Sequence, residues 1–285
     1  MKTPKRLAPL LEDGLIDEVI GQLKSGKEAT VYLVRSKGVT RCAKVYKDAH
    51  HRSFKQATAY REGRKVKSSR AARAMEKGSR FGKQELEEAW QNAEVSALYR
   101  LAAAGVRVPT PYGCFDGVLL MEMVDDGNGH PAPRLGEVDF TPEEARDCHL
   151  RLVREVVRML CAGLVHGDLS EFNILMDPQG PVIIDLPQAV DAAGNNHAQS
   201  MLQRDVDNLR HYFGQFAPEL LETRYGKEIW ALYEAGELTT DCELTGEFEE
   251  DETPADLDDL LREIMDVREE EERRREREAE RDNDD

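Results

Sequence analysis

Three residue types at fixed spacing set the chemistry open to this chain. Asp168 and Asn173 stand five apart in His166-Gly167-Asp168-Leu169-Ser170-Glu171-Phe172-Asn173-Ile174-Leu175, and Asp185 ends the apolar stretch Val182-Ile183-Ile184. Phosphoryl transfer from ATP needs a group that orients or deprotonates the attacking hydroxyl. It also needs hard oxygen ligands that hold a divalent cation on the phosphates. Asp168 suits the first task, Asn173 and Asp185 the second. The Asp-x-x-x-x-Asn spacing lets one loop aim both side chains into a single cleft, and a strand return brings Asp185 alongside. Carboxylates that close repel, so a bound cation is what makes the arrangement stable. Taken singly, the three also read as a turn cap, a loop amide and a strand end.

Such a cleft needs elements to position it. The apolar spacing of Leu11, Leu15, Ile16, Val19, Ile20 and Leu23 predicts a helix. Ser25-Gly26-Lys27-Glu28-Ala29 follows, then a strand over 30–34, a turn at Ser36-Lys37-Gly38 and a second strand over 40–46, together a hairpin. A long helix fits 84–104, ended by Gly105 with Pro109 and Pro111 beyond. Strands are expected over 112–115 and 118–124 across the Asp116-Gly117 turn. Beyond the loop at 125–129, Thr141 reads as an N-cap with Pro142 in the first helical position, and that helix extends to about Ala162. Short strands near 174–175 and 182–184 precede helices over 199–216 and 218–235. Strands with one helix, then mostly helices, predict an α+β chain of two lobes joined near residues 121–125.

The charge is unevenly spread. The chain of 285 residues carries 56 acidic and 39 basic side chains, a net of -17, which argues against a protein that coats nucleic acid. Residues 245–285 hold 20 acidic and 7 basic residues, a net of -13, so the remainder is nearly balanced. Within that remainder, residues 47–83 hold 12 basic and 3 acidic residues, a local +9. This insert reads either as a solvated loop or as a surface for RNA or a ribosomal particle. The tail reads as disordered chain or a solvated helix, or as a contact for a basic partner or for the chain's own basic insert. Five cysteines without a C-x-x-C pair match no common zinc pattern and point to a reduced, cytoplasmic chain. No apolar run approaches the roughly 18 residues of a membrane span. Glu12 and Asp13 interrupt any secretion-signal core, so neither membrane insertion nor export is expected.

The run from His166 to Leu175, with Ile184-Asp185-Leu186-Pro187-Gln188, resembles the catalytic and metal-binding loops of the RIO family of atypical serine/threonine protein kinases. Ser25-Gly26-Lys27-Glu28-Ala29-Thr30-Val31-Tyr32 resembles that family's phosphate-binding loop. Ser170-Glu171-Phe172-Asn173 and Pro131-Ala132-Pro133 point to the subgroup typified by the first RIO kinase. The likeness covers about residues 11–235.

The resemblance implies a bilobal protein-kinase-like α+β fold, with a small strand-rich N-lobe and a helical C-lobe. Its parts would be an N-terminal helical extension (1–24), the N-lobe (25–124) with the basic flexible insert at 47–83, the C-lobe (125–244) and the acidic tail (245–285). It implies catalytic roles for Asp168 and Asp185, and metal ligation by Asn173 and Asp185. ATP would be held by Ser25, Lys27, Lys44, Glu94, Glu122 and Val124: Lys44 on the phosphates, Glu94 holding Lys44, and the backbone of Glu122 and Val124 on adenine. The cofactors implied are ATP and Mg²⁺, with Mn²⁺ as the alternative ion. The activity implied is phosphorylation of protein serine, autophosphorylation in the insert, and ATP hydrolysis through an acyl-phosphate on Asp185.

The phosphate loop has one glycine in place of three, and there is no D-F-G or A-P-E motif. The short chain after Asp185 leaves no room for a conventional activation loop. Alternatives therefore stand: an ATP-driven ribosome assembly factor acting as a switch, or a small-molecule kinase of the aminoglycoside-phosphotransferase type. The protein substrate remains unassigned.

Overall fold

The computed structural model describes residues 4–26, 29–47 and 93–249. Expectations for Lys27, for the insert past Lys47, for the helix start before residue 93 and for the tail past Glu249 lie outside the described residues. The described chain through Glu247 forms one compact unit.

Its first half is a five-stranded antiparallel sheet, ordered β1-β2-β3-β5-β4. The strands are β1 (Glu18–Ser25), β2 (Ala29–Ser36), β3 (Val39–Tyr46), β4 (Pro111–Phe115) and β5 (Val118–Glu122). Two hairpins organise it. Lys37 and Gly38 join β2 to β3 with φ of 52° and 76°, and Asp116 and Gly117 join β4 to β5 with φ of 47° and 74°. Positive φ at both central residues is the tight turn whose twist matches paired strands, and glycine or aspartate accepts it at low cost. Alternation gives the sheet two faces. Ala43 and Val45 pack with Val34, Val118 and Leu120 beneath Leu7, Leu10 and Ile16. Lys44 and Tyr46 point the other way, toward the helix over residues 93–103 (α2) and the cleft.

The helix expected over 11–23 is a correction. Only Ala8–Glu12 is helical (α1), and Glu18–Ser25 is a strand. The register of β1 on β2 slips between Val19 and Gly21 and again between Gln22 and Lys24. Each slip breaks the two-residue alternation, so the apolar positions mimic a helical period. Ile20 and Leu23 remain 44% and 41% exposed, which a helix buried through that stripe would not allow.

The second half is mainly helical. Helix α3 (Pro142–Cys161) begins with a capping box in which Thr141 and Glu144 satisfy each other's backbone N–H groups. The strand pair β6 (Leu164–Val165) and β9 (Val190–Asp191) flanks a hairpin of β7 (Ile174–Asp177) and β8 (Gly180–Ile183). Helices α4 (Ala198–Gly214) and α5 (Tyr225–Glu234) complete the lobe over a core including Leu152, Leu160, Leu209 and Phe213.

The single helix expected over 218–235 is two pieces, a 3₁₀ turn at Pro218–Glu222 and α5. Extended backbone at Thr223 breaks it, and the Arg224 N–H donates to the Gly246 carbonyl instead of continuing a helix. That bond also corrects the start of the acidic tail. Thr245 and Gly246 donate their N–H groups to the Glu228 carboxylate at 2.8 Å each, so the first tail residues are docked on α5.

Candidate active site

A cleft of about 790 Å³ opens between the sheet and the helical lobe. Its roof is Ala29 and Val31 from β2, its rear wall Leu119 and Met121 from β5, and its floor Leu175 and Ile184. That size and apolar lining suit a drug-sized ligand, with charged groups needed only at one end.

The charged end is built on Lys44. Pairing of β3 with β2 and β5 sets Lys44 opposite Val31 and Leu119 in the sheet centre. Its ammonium donates to Glu94 Oε1 at 2.5 Å and to Asp185 Oδ1 at 3.0 Å. Tyr46, two residues on and so on the same face, donates its hydroxyl to Glu94 Oε2 at 2.7 Å. Burial alone would lower the Lys44 pKa, but Glu94 and Asp185 outweigh it and hold the amine above its ordinary value. Burial likewise acts to raise Asp185, yet Lys44, with help from His166 and Arg134, holds that carboxyl below its usual range. Both groups are therefore charged at neutral pH.

Asp185 has φ of 67° at the exit of β8, a left-handed backbone that aspartate tolerates better than most residues. The turn leaves its side chain half exposed while Lys44 holds one oxygen. Across the β7–β8 hairpin the Ile184 N–H donates to the Asn173 carbonyl at 2.9 Å, which sets Asn173 beside the chain leading to Asp185. The Asn173 amide nitrogen donates to the Asp168 carbonyl at 2.8 Å, which fixes the orientation of the amide. Asp168 is exposed and lines the cleft with Asp185.

The loop that carries Asp168 is clamped through its backbone. Asp205 on α4 accepts from the N–H groups of Gly167 at 2.7 Å and Leu169 at 2.9 Å. Asn208 donates to the Leu169 carbonyl at 2.9 Å, and Arg204 donates to the Gly167 carbonyl. His166 and the Ile184 carbonyl lie 3.1 Å apart, tying the loop to β8. Burial pushes the Asp205 carboxyl up to about 6, despite opposing effects from His166 and the two N–H donors.

The structure thus brings Asp168, Asn173, Asp185, Lys44 and Glu94 together. At the lobe junction Glu122 and Val124 line the cleft. The Glu122 N–H donates to the Thr110 carbonyl, its carboxylate accepts from Thr110, and the Val124 carbonyl accepts from Ala132. Ser25 is not brought in. Its hydroxyl meets Thr30 at 3.2 Å and Lys47 at 3.1 Å, while its neighbours Lys24 and Gly26 line the cleft.

Asp205, Asn208 and Tyr46 were missed in the sequence. A signal existed for Asp205, which interrupts the apolar stripe of Met201, Leu202, Val206 and Leu209, where a carboxylate must find donors. Tyr46 was detectable through its two-residue offset from Lys44.

The fit of a divalent cation rests on donor chemistry. An amide oxygen from Asn173 and a half-exposed carboxylate from Asp185 are hard ligands, and Mg²⁺ is ordinarily held by one or two such groups plus substrate phosphates. Among the described residues no cluster of three or more His, Cys, Asp or Glu forms a self-contained metal cage. Among them, too, no helix is long and apolar enough to cross a membrane.

A family model described as the RIO domain matches residues 30–225, which include Lys44, Glu94, Glu122, Val124, Asp168, Asn173, Asp185 and Asp205 but not Ser25 or Lys27. The human serine/threonine-protein kinase RIO1 is 31% identical over 248 residues, spanning 86% of this chain and 40% of that protein. The RIO-type serine/threonine-protein kinase Rio1 of Haloferax volcanii is 36% identical over 212 residues, spanning 72% of this chain and 66% of the relative. The chain thus spans about two fifths of the human relative's length and about two thirds of the archaeal one's. Among solved structures, the Rio2 kinase–ADP/Mg²⁺–phosphoaspartate complex from Chaetomium thermophilum superposes with a TM-score of 0.53 at 22% identity, covering 74% of this chain and 59% of that one. That likeness is one of fold.

Proposed function

The chain belongs to the RIO domain family, and from that premise we propose that it is a Mg²⁺-ATP-dependent phosphotransferase acting on protein serine or on itself. An ATPase branch would run through an aspartyl phosphate at Asp185. The observation that carries the reading is Lys44 bridging Glu94 and Asp185 at the charged end of an otherwise apolar cleft.

Each residue has a task in that reaction. The apolar walls take the adenine. The base would meet the Glu122 carbonyl and the Val124 N–H, since the partner group of each residue is already bonded within the protein. Lys44, anchored by Glu94, turns its remaining donors to the phosphates. Asn173 and Asp185 would hold a Mg²⁺, which would supply charge neutralisation on the phosphate oxygens. Asp168 orients the acceptor hydroxyl and takes its proton. The serine oxygen bonds to the γ-phosphorus, the bond to the β–γ bridging oxygen breaks, and ADP leaves with that electron pair. In the ATPase branch the Asp185 carboxylate makes the new bond instead. Water then cleaves the acyl phosphate, releasing inorganic phosphate and restoring the carboxylate. The phosphoaspartate in the name of the Chaetomium complex supports this branch by analogy.

A second reading, an ATPase that times association with a ribosomal particle, is favoured by the chain that follows Asp185. Leu186, Ala189, Val190 and Ala192 are buried there, and β9 pairs with β6, so this segment presents little surface for a peptide substrate. Nucleotide-dependent co-sedimentation with ribosomal subunits tests it.

The primary test is incubation with γ-labelled ATP and Mg²⁺, comparing wild type with Asp168→Ala and Asp185→Ala. Loss of label transfer in both variants is expected. Acid-labile label marks the acyl phosphate and acid-stable label marks phosphoserine. Equal incorporation and hydrolysis by all three proteins would place the chemistry elsewhere.

A further inference from the structure

We infer that Tyr46 is a positioning residue for phosphoryl transfer, its hydroxyl holding one oxygen of Glu94 so that the other is presented to Lys44. The inference rests on the nucleotide reading above and extends it to a side chain outside the lysine–glutamate–aspartate set.

The geometry is specific. Lys44 and Tyr46 project from one face of β3 and donate to different oxygens of one carboxylate, at 2.5 Å and 2.7 Å. Tyr46 and Glu94 are 5% and 4% exposed, so no solvent competes for either bond. A glutamate on a helix has three rotatable bonds, and a single contact to a flexible lysine would leave the carboxylate free to turn. Two donors fixed to one strand remove that freedom. Lys44 also packs by the Tyr46 ring, its ammonium 5.7 Å from the centroid.

The anchoring matters because Lys44 has two carboxylate partners, Glu94 and Asp185. Entering phosphates compete with Asp185 for the ammonium. Productive exchange keeps the Glu94 bond and releases the Asp185 bond, which frees that oxygen for metal or phosphorus. With Glu94 pinned by Tyr46 the outcome is set in advance. Without the hydroxyl, Glu94 follows Lys44 and the ammonium loses its fixed reference. Burial, then the neighbouring Glu94, push the Tyr46 phenol well above its ordinary value, so it stays a donor across the working pH range. Tyr46 also faces Ala29 in the ladder, and Ala29 accepts from the Gly26 N–H at 2.9 Å, so the ring stands beside the return of the phosphate loop.

The test is Tyr46→Phe, which keeps the ring and removes only the hydroxyl, made in wild type and in a Glu94→Gln background. Two quantities are measured in each: kcat/KM for ATP, and the rise in melting temperature on adding Mg²⁺-ATP. In wild type the substitution should lower kcat/KM about tenfold, the size expected for losing a hydrogen bond to a charged group, and shrink the nucleotide-induced shift. In Glu94→Gln it should cost nothing further, because its effect passes through Glu94. A change within twofold in wild type overturns the inference. So does an equal tenfold loss in both backgrounds, which would mean that Tyr46 acts by another route. Lys44→Ala separates the layers: if it is inactive while Tyr46→Phe matches wild type, the Tyr46 inference alone fails. If Lys44→Ala is as active as wild type, the nucleotide reading fails and takes the inference with it.

Discussion

The Lys44 cluster and the Asp168 loop serve one cleft, yet the fold holds them by opposite means. Around Lys44 everything is side chain to side chain: an ammonium, two carboxylates and a phenol, with Glu94 and Tyr46 sealed from solvent. Around Asp168 the bracing is side chain to backbone, with Asp205, Asn208 and Arg204 gripping the peptide groups of Gly167 and Leu169. In the proposed reaction the first design would couple charge directly to the ligand, since phosphates would disturb it on binding. The second keeps the Asp168 carboxylate exposed and lets the helix hold only its frame. Damage to the first should appear in nucleotide binding, and damage to the second in turnover.

Lys44→Ala should break the comparison most severely. It leaves Glu94 buried without its cation, at about 3–5 kcal/mol. For a chain of this size that lowers the melting temperature by roughly 10 °C. Calorimetry checks the stability, and the nucleotide-induced melting shift should vanish with it. Next comes Asp205→Ala, which strands two buried N–H donors at about 1–3 kcal/mol each. Its kinetic signature should differ: kcat for label transfer falls at least tenfold while KM for ATP moves less than threefold. A rise in KM with unchanged kcat would erase the distinction between the two regions.

A third prediction concerns the core beneath α4. His149 packs edge-on against Phe213 at 5.6 Å, near Tyr225 at 5.7 Å, and its Nε2 meets no partner among the described residues. Burial pushes its pKa down to about 4 from 6.5. The fold therefore favours the neutral ring. Its contribution is intact above pH 6.5 and is lost as pH falls toward 4, by about 3 kcal/mol in all. Asp205 works in the reverse sense over an overlapping window, because its raised carboxyl makes the fold favour the protonated form. The measurable quantity is a difference: the stability of His149→Phe minus that of wild type should grow as pH falls from 6.5 to 4. A constant difference across that range would remove His149 as the source. The smallest effect expected is Thr141→Ala. Loss of the N-cap on α3 should cost about 1 kcal/mol in chemical denaturation and leave label transfer unchanged.

How far the sequence reached follows from how each residue is held. Asp168, Asn173 and Asp185 were legible because a loop and a hairpin fix their relations within 18 residues. The Asp116-Gly117 turn and the Thr141 cap were legible because their chemistry is local. The strand β1 was not, because its two register slips are set by pairing with β2 and disguise the alternation. Asp205 was hidden by distance: nothing near it in sequence says which backbone it grips. Ser25 lies in the motif, and its hydroxyl meets Thr30 and Lys47, contacts that motif spacing does not foretell.

The account stands or falls on whether this cleft binds nucleotide through Asp185 and a divalent cation. The direct measurement is isothermal titration of ATP into wild type and Asp185→Asn, each with Mg²⁺ and with EDTA. Mg²⁺ should tighten binding at least tenfold in wild type and have little effect in the variant. Equal affinities in all four titrations would contradict the account.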